Sequence, residues 1–137
     1  MEESVFTKII KREIPAEIVY EDENVIAFLD AAPNNPGHTL VVPKTPSRNL
    51  FSMTEEEWAT LMRAVWKVAH AVKDAVGAEG VNVNMNNEAA AGQSVFHAHI
   101  HVIPRYEGDG HRLFTPGKYA HDTERAEVGG KIRAALS

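Results

Sequence analysis

Three histidines occupy alternate positions in the run His97-Ala98-His99-Ile100-His101-Val102-Ile103. Successive side chains of a β-strand point to opposite faces. The pattern therefore predicts His97, His99 and His101 together on one face, with Ala98, Ile100 and Val102 turned to a core. Three imidazoles in a row pack a core poorly. Near neutral pH, however, imidazole can serve as acid, base, nucleophile or metal ligand.

Three interpretations are open. One is a surface strand with incidental histidines; against it, three of the chain's seven histidines fall within five residues on one face. Another is a metal site, since a His-x-His pair on a strand can supply two ligands and a third completes an open site. Neither flank of the run carries a carboxylate, and Arg105 follows closely, an unfriendly neighbour for a cation. The last is nucleophilic attack on phosphorus, in which a neutral imidazole forms a covalent phosphohistidine. That chemistry needs groups to neutralise phosphate oxygens and a proton donor for the leaving group. Gly92-Gln93-Ser94, just upstream, offers a flexible backbone, an amide and a hydroxyl.

The elements that must position this run are legible from periodicity and turn residues. Residues 5–11 read as a short helix with Val5, Phe6, Ile9 and Ile10 on its apolar side. Residues 17–20 and 25–29 read as strands around the turn Glu21-Asp22-Glu23-Asn24, and 39–42 as a third strand stopped by Pro43. Two prolines and a glycine make 31–37 a loop. Thr54-Glu55-Glu56-Glu57 is a capping box opening a helix that runs to Val76. Trp58, Leu61, Val65, Val68 and Val72 form its apolar stripe, and Gly77 stops it. A fourth strand is expected at 81–85, a loop at 86–92, a fifth strand at 96–103 ended by Pro104, and a turn at 107–110. Residues 123–136 make a weak final helix, disfavoured by Gly129-Gly130. The expected fold is α+β, one domain over residues 1–137 around a five-stranded antiparallel sheet with one short and one long helix, residues 111–137 adding a loop and the weak helix.

Bulk properties narrow the function. A chain of 137 residues with 44% hydrophobic and 24% charged residues is long enough to bury its own core. It has no cysteine, which excludes disulfides and thiolate chemistry and agrees with a reducing, cytoplasmic setting. The net charge of −5 and the lack of a basic block argue against nucleic acid as a partner. No apolar stretch has the roughly 20 residues that a membrane helix needs, and the first residues carry no secretory pattern.

The stretch from Gly92 to Ile103 resembles the signature of the histidine triad (HIT) family, His-φ-His-φ-His-φ-φ with φ apolar. Phe6-Thr7-Lys8-Ile9-Ile10, Tyr20-Glu21-Asp22, Ala27-Phe28-Leu29-Asp30 and Gly37-His38-Thr39-Leu40-Val41-Val42-Pro43-Lys44 resemble blocks of its Hint-like branch, in matching order. The resemblance implies the HIT fold, a homodimer with the two sheets joined, and a purine-nucleotide ligand resembling AMP. The implied activity is a nucleotide hydrolase acting at the α-phosphate through a covalent nucleoside monophosphate–histidine intermediate. Within that class it points to an adenosine 5′-phosphoramidase or purine nucleoside phosphoramidase. Dinucleoside polyphosphate hydrolysis, and nucleotide binding with little turnover, are the alternatives.

By the same resemblance His99 is the nucleophile. His101 contacts the phosphate, and His97 orients the cluster by hydrogen bonding towards His38, which matches the family's fourth histidine. Ser94 bonds the leaving group or phosphate, Gln93 contacts phosphate through its amide, and Asn86 lines the phosphate site. Asp30 accepts the ribose hydroxyls, as a carboxylate facing two vicinal hydroxyls should. Phe6, Ile9, Phe28 and Leu29 wall the base pocket. Taken singly, each apolar residue reads as core before pocket, Asn86 as a turn asparagine and Asp30 as a strand end.

One departure stands out. Many bacterial relatives hold a structural zinc with a Cys-x-x-Cys pair, a histidine after the Pro-Lys segment and the first triad histidine. Here the cysteine positions are Ser4 and Thr7, and residues 43–48 contain no histidine. Hydroxyls do not replace thiolates for zinc, so no metal and no cofactor is expected. A neutral nucleophile further predicts activity falling as pH drops below about 6.5, the ordinary histidine value.

Overall fold

β-Strands whose two faces are both apolar must be covered twice, and that requirement organises this chain. The computed structural model describes residues 3–137. Its elements are α1 (Val5–Ile10), β1 (Ile18–Glu21), β2 (Val25–Leu29), β3 (Thr39–Pro43), α2 (Glu55–Val76), β4 (Gly80–Asn84), β5 (Ile100–Arg105) and α3 (Asp122–Leu136), with short 3₁₀ turns at Leu50–Ser52 and Ala89–Ala91. The strands form one antiparallel sheet in the order β1-β2-β3-β5-β4.

Alternation along β2 sends Val25 and Ala27 to one face and Ile26 and Phe28 to the other. The first pair joins Val41, Ile100 and Val102 against the α2 stripe of Leu61, Ala64, Val65, Val68 and Val72. The second pair joins Leu40 and Val42 against Phe6 and Ile9 of α1. The sheet is therefore covered by the long helix on one face and the short helix on the other.

α2 starts where its capping box predicts. Thr54 Oγ1 accepts the Glu57 amide and Glu57 reaches back to the Thr54 amide. It ends at Gly77, in the left-handed conformation at φ +64, ψ +36.

Two boundaries differ from the expectation, and both matter to the site. The fifth strand begins at Ile100 rather than 96. Its pairing with β3 ends at the Val41–Ile100 partners, the chain bends over 95–97, and the Ala98 amide goes to the Ser47 carbonyl at 2.6 Å. The strand also continues through Pro104. The Pro104 carbonyl is taken by Asn35 Nδ2 at 2.9 Å, so the missing N–H faces the same side, beyond the start of β3, where no ladder bond is lost. α3 forms despite its glycines but buries no residue.

Candidate active site

His101 lies between Ile100 and Val102, both on the α2 face, so its ring stands on the α1 face. There it meets the His99 ring edge-on at 5.1 Å between centroids and the His38 ring at 5.1 Å. Phe6 of α1 lies edge-on to His99 at 4.9 Å. Three of the four predicted histidines thus converge where α1 crosses the sheet.

Hydrogen bonds to groups of unambiguous character settle where each ring carries its proton. His99 Nδ1 lies 2.7 Å from the His97 carbonyl, which can only accept. His99 therefore donates from Nδ1 and keeps a lone pair on Nε2. The Asn34 amide donates to His38 Nδ1 at 3.0 Å, which puts the His38 proton on Nε2. That N–H donates to His101 Nδ1 at 2.9 Å, leaving His101 its proton on Nε2. His99 Nε2 and His101 Nε2 make no hydrogen bond among the described residues, and both reach solvent. Side by side stand a bare nitrogen lone pair and an N–H donor.

Burial keeps these rings neutral. It lowers the pKa of His99, against the opposing bond to the His97 carbonyl and the charge of Asp30. Burial also lowers His38, again opposed by Asp30. His101 is held at about 4 by burial first, then by its His99 and His38 neighbours. The imidazoles thus stay neutral to lower pH than the 6.5 of an unperturbed histidine. Asp30, at the end of β2, accepts the Ala32 amide with one oxygen and brings the other to 3.7 Å from His38 Nε2.

His97 departs from expectation. It is 1% exposed, its Nε2–H donates to the Pro43 carbonyl at 2.9 Å, and its Nδ1 accepts from Ser4 Oγ at 2.8 Å. It does not bond to His38, because the chain bends before β5 and turns its ring to α1 while His101 occupies His38. Thr7 Oγ1 lies 3.3 Å from the same Nδ1.

Neither candidate metal set fits an ion. Ser4, Thr7 and His97 offer two neutral hydroxyls and a nitrogen whose lone pair already takes the Ser4 proton. Asp30, His38 and His101 bring one ligand atom each within 4.8 Å of the others. Yet the Asn34 amide holds the His38 proton on the very nitrogen that would have to ligate.

The loop before the histidines divides into contact and scaffold. Gln93, predicted as a phosphate contact, is 4% exposed and fully committed. Its Nε2 donates to the Arg48 and Val95 carbonyls, and its Oε1 accepts from Asn49 Nδ2 and the Glu88 amide. It shapes the loop instead of touching a ligand through that amide. Ser94 is exposed and makes no hydrogen bond among the described residues. Asn86 is half-buried beside Gly92, which adopts φ +92. Leu29 faces the α2 side, where it borders a cleft of about 520 Å³ with Thr39, Val68 and Val72. It is thus removed from the expected pocket wall, because alternation along β2 admits Phe28 and excludes its neighbour. Phe6, Phe28 and Ile9 do share the histidine face.

Sequence reasoning missed the clamp that holds this loop. Glu88 sits at φ +77, ψ 159, a strained conformation for a side-chain-bearing residue. Its carboxylate takes Nε and Nη2 of Arg48 at 2.9 and 2.8 Å, and Asn49 Nδ2 at 2.7 Å. The guanidinium of Arg48 also lies 4.3 Å over the Phe96 ring. Only the asparagine at 49, an N-cap residue type before Leu50–Ser52, carried any sequence signal of this arrangement.

A small antiparallel sheet presents, from neighbouring imidazoles, an open lone pair on His99 beside an N–H on His101. The chain belongs to the HIT family: the HIT domain profile matches residues 11–108. An uncharacterized HIT-like protein of Methanocaldococcus jannaschii is 50% identical over 106 residues, covering 77% of this chain and 81% of its own. The crystal structure of a HIT family member from Bacillus subtilis superposes with a TM-score of 0.90 at 40% identity, covering 99% of each chain. An adenylylsulfatase of Arabidopsis thaliana is 40% identical over 105 residues, 77% of this chain and 53% of its own. No helix among the described residues is long and apolar enough to cross a membrane.

Proposed function

We propose that this protein is a cytoplasmic nucleotide hydrolase, one domain over residues 1–137, that attacks the α-phosphorus of purine nucleotides through His99. Adenosine 5′-phosphoramidates and related purine nucleoside phosphoramidates are its substrate class. The observation that carries this reading is the lone pair on His99 Nε2 beside the N–H of His101 Nε2. The lone pair attacks phosphorus, the bond to the leaving amine breaks, and the amine takes a proton from solvent through the exposed Ser94 hydroxyl. His101 donates a hydrogen bond to a phosphate oxygen. The resulting phospho-imidazolium keeps its Nδ1–H on the His97 carbonyl, which stabilises its charge. Water then attacks phosphorus, the P–N bond to His99 breaks, and the nucleoside monophosphate leaves.

The other residues take binding roles in this reading. The outer oxygen of Asp30 receives the ribose hydroxyls, and Phe6, Ile9 and Phe28 flank the base. Asn86 lines the phosphate. The same attack would expel sulfate from adenylyl sulfate with no proton required, and the Arabidopsis relative favours that second substrate.

Mixing the protein with an adenosine 5′-phosphoramidate, adenylyl sulfate or a diadenosine polyphosphate, quenching in alkaline denaturant and weighing the peptides tests the reading. An adenosine monophosphate adduct on the peptide carrying His99 is expected, with the phosphoramidate turned over fastest. Tight nucleotide binding without adduct or turnover on any of the three would mark a binding protein instead.

The enzyme is proposed to act as a homodimer. β4 is one of the two sheet edges, with Val83 49% exposed, and Trp66 of α2 is 66% exposed. Such an edge is a template for a second copy. Sedimentation at the mass of one chain would remove this part of the proposal.

A further inference from the structure

We infer that Ser4 is a positioning residue for His99, acting through His97. The inference rests on the role assigned to His99 above and adds a residue that touches no substrate.

The need for such a residue follows from where β5 starts. The nucleophile sits one residue before the first strand position, Ile100, so the ladder does not hold it. What holds His99 is the bond from its Nδ1 to the His97 carbonyl. The direction of that carbonyl depends on how residue 97 is anchored, and its backbone lies in the bend at 95–97. The anchors are side-chain bonds at both ring nitrogens: Nε2–H to the Pro43 carbonyl at 2.9 Å and Nδ1 from Ser4 Oγ at 2.8 Å. The ring is 1% exposed, and the other hydroxyl near Nδ1, Thr7 Oγ1, stands farther off at 3.3 Å.

The Ser4 hydroxyl works in both directions. Its hydrogen goes to His97, and its oxygen accepts the Thr7 amide at 3.0 Å as the N-cap of α1. α1 in turn carries Phe6, whose ring lies edge-on to both His97 and His99. One hydroxyl therefore joins the helix that flanks the ligand to the carbonyl that aims the nucleophile. It stands where the family resemblance puts a zinc ligand in other members, and a hydrogen bond does the bracing here.

Three variants separate bracing from capping. Ser4→Ala removes both bonds. Ser4→Asp keeps an N-cap oxygen but presents an acceptor to His97 Nδ1, so the ring must take a second proton or swing away. Ser4→Thr keeps donor and cap, and a cleft of about 450 Å³ beside Ser4, Thr7, Phe96 and His97 has room for the methyl group.

Turnover of an adenosine 5′-phosphoramidate and long-range ¹⁵N spectra of the imidazoles are measured together with thermal melting. In Ser4→Ala and Ser4→Asp, kcat falls about tenfold with KM within about twofold, as expected for a misaimed nucleophile. In both, the His99 Nδ1–H signature of the wild type gives way to a mixture. Ser4→Asp keeps α1 capped, and Ser4→Thr stays within about threefold of the wild-type kcat. Wild-type kcat and an unchanged His99 spectrum in Ser4→Asp would overturn the inference, leaving Ser4 a helix cap alone. Should the wild type turn over no substrate, the proposed function fails, while the spectra still decide whether Ser4 sets the His99 tautomer.

Discussion

His99→Ala lowers kcat on an adenosine 5′-phosphoramidate by about 10⁴-fold or more, because it removes the only group that forms the covalent bond in the proposed route. Neither His97 nor His101 substitutes for it. The His97 nitrogens are both engaged, with Pro43 and Ser4. The His101 nitrogen facing His38 accepts a hydrogen bond, and its other nitrogen carries the proton. Of the described triad and His38, only His99 presents a bare lone pair to solvent. Nucleotide binding changes far less, since Asp30, Phe6, Phe28 and the His101 N–H remain. Calorimetric titration of AMP gives a Kd within a few-fold of wild type in the variant, alongside lost turnover. Turnover equal to wild type in His99→Ala would sink the assignment of the nucleophile.

Acid weakens the fold as pH falls from about 6.5 towards 4, before the carboxylates titrate. The unfolded chain has ordinary histidines near 6.5. In the folded protein His38, His97, His99 and His101 are all depressed, each by burial above all, and His101 lies at about 4. A depressed folded value means the unfolded state binds more protons across that interval. Stability is then complete above about 6.5 and is lost as pH falls towards the folded values. His101 alone contributes about 3 kcal/mol over the full interval, and the other three act in the same direction.

The carboxylates act lower down. Arg48 and Asn49 hold Glu88 at about 2, so its contribution starts to fade only below about 4.5. Urea midpoints at pH 7.0, 6.0 and 5.0 isolate the histidine part, and a steady fall is expected, flattened in His101→Gln. Midpoints independent of pH over that range would show that these rings are not buried neutral. The same depression moves the acid limb of kcat below 6.5.

Much of the architecture could be read from pattern alone. The period-two histidines marked a strand with its apolar residues on one face, and Ile100, His101 and Val102 obey that alternation. The capping box and Gly77 bounded α2 correctly, because caps are local hydrogen-bonding devices. β2 and β3 were legible as strands, and their interior place in the sheet came from the structure. Local signals failed where the chain leaves the ladder. Alternation extended the last strand back to residue 96, yet the pairing with β3 stops at Ile100. Pro104 read as a strand end, yet its orphan side faces past β3. Leu29 sat in a block resembling the pocket wall, but one step along a strand changes the face.

The amino-acid sequence by itself determined which side chains share a face of each element, since that depends on the repeat of the backbone. It thereby put His99 and His101 on one side of the chain, while only the family resemblance tied Asp30 and His38 to the same site. Tertiary structure alone decided their protonation. The His38–His101 bond spans 63 residues and the Ser4–His97 bond 93, and no spacing rule reaches so far. Whether an imidazole nitrogen is a lone pair or a donor depends on the single group opposite it. Here those groups are the Asn34 amide and the His97 carbonyl, brought into place by folding. The pattern named the histidines; the fold left one of them, His99, with an open lone pair.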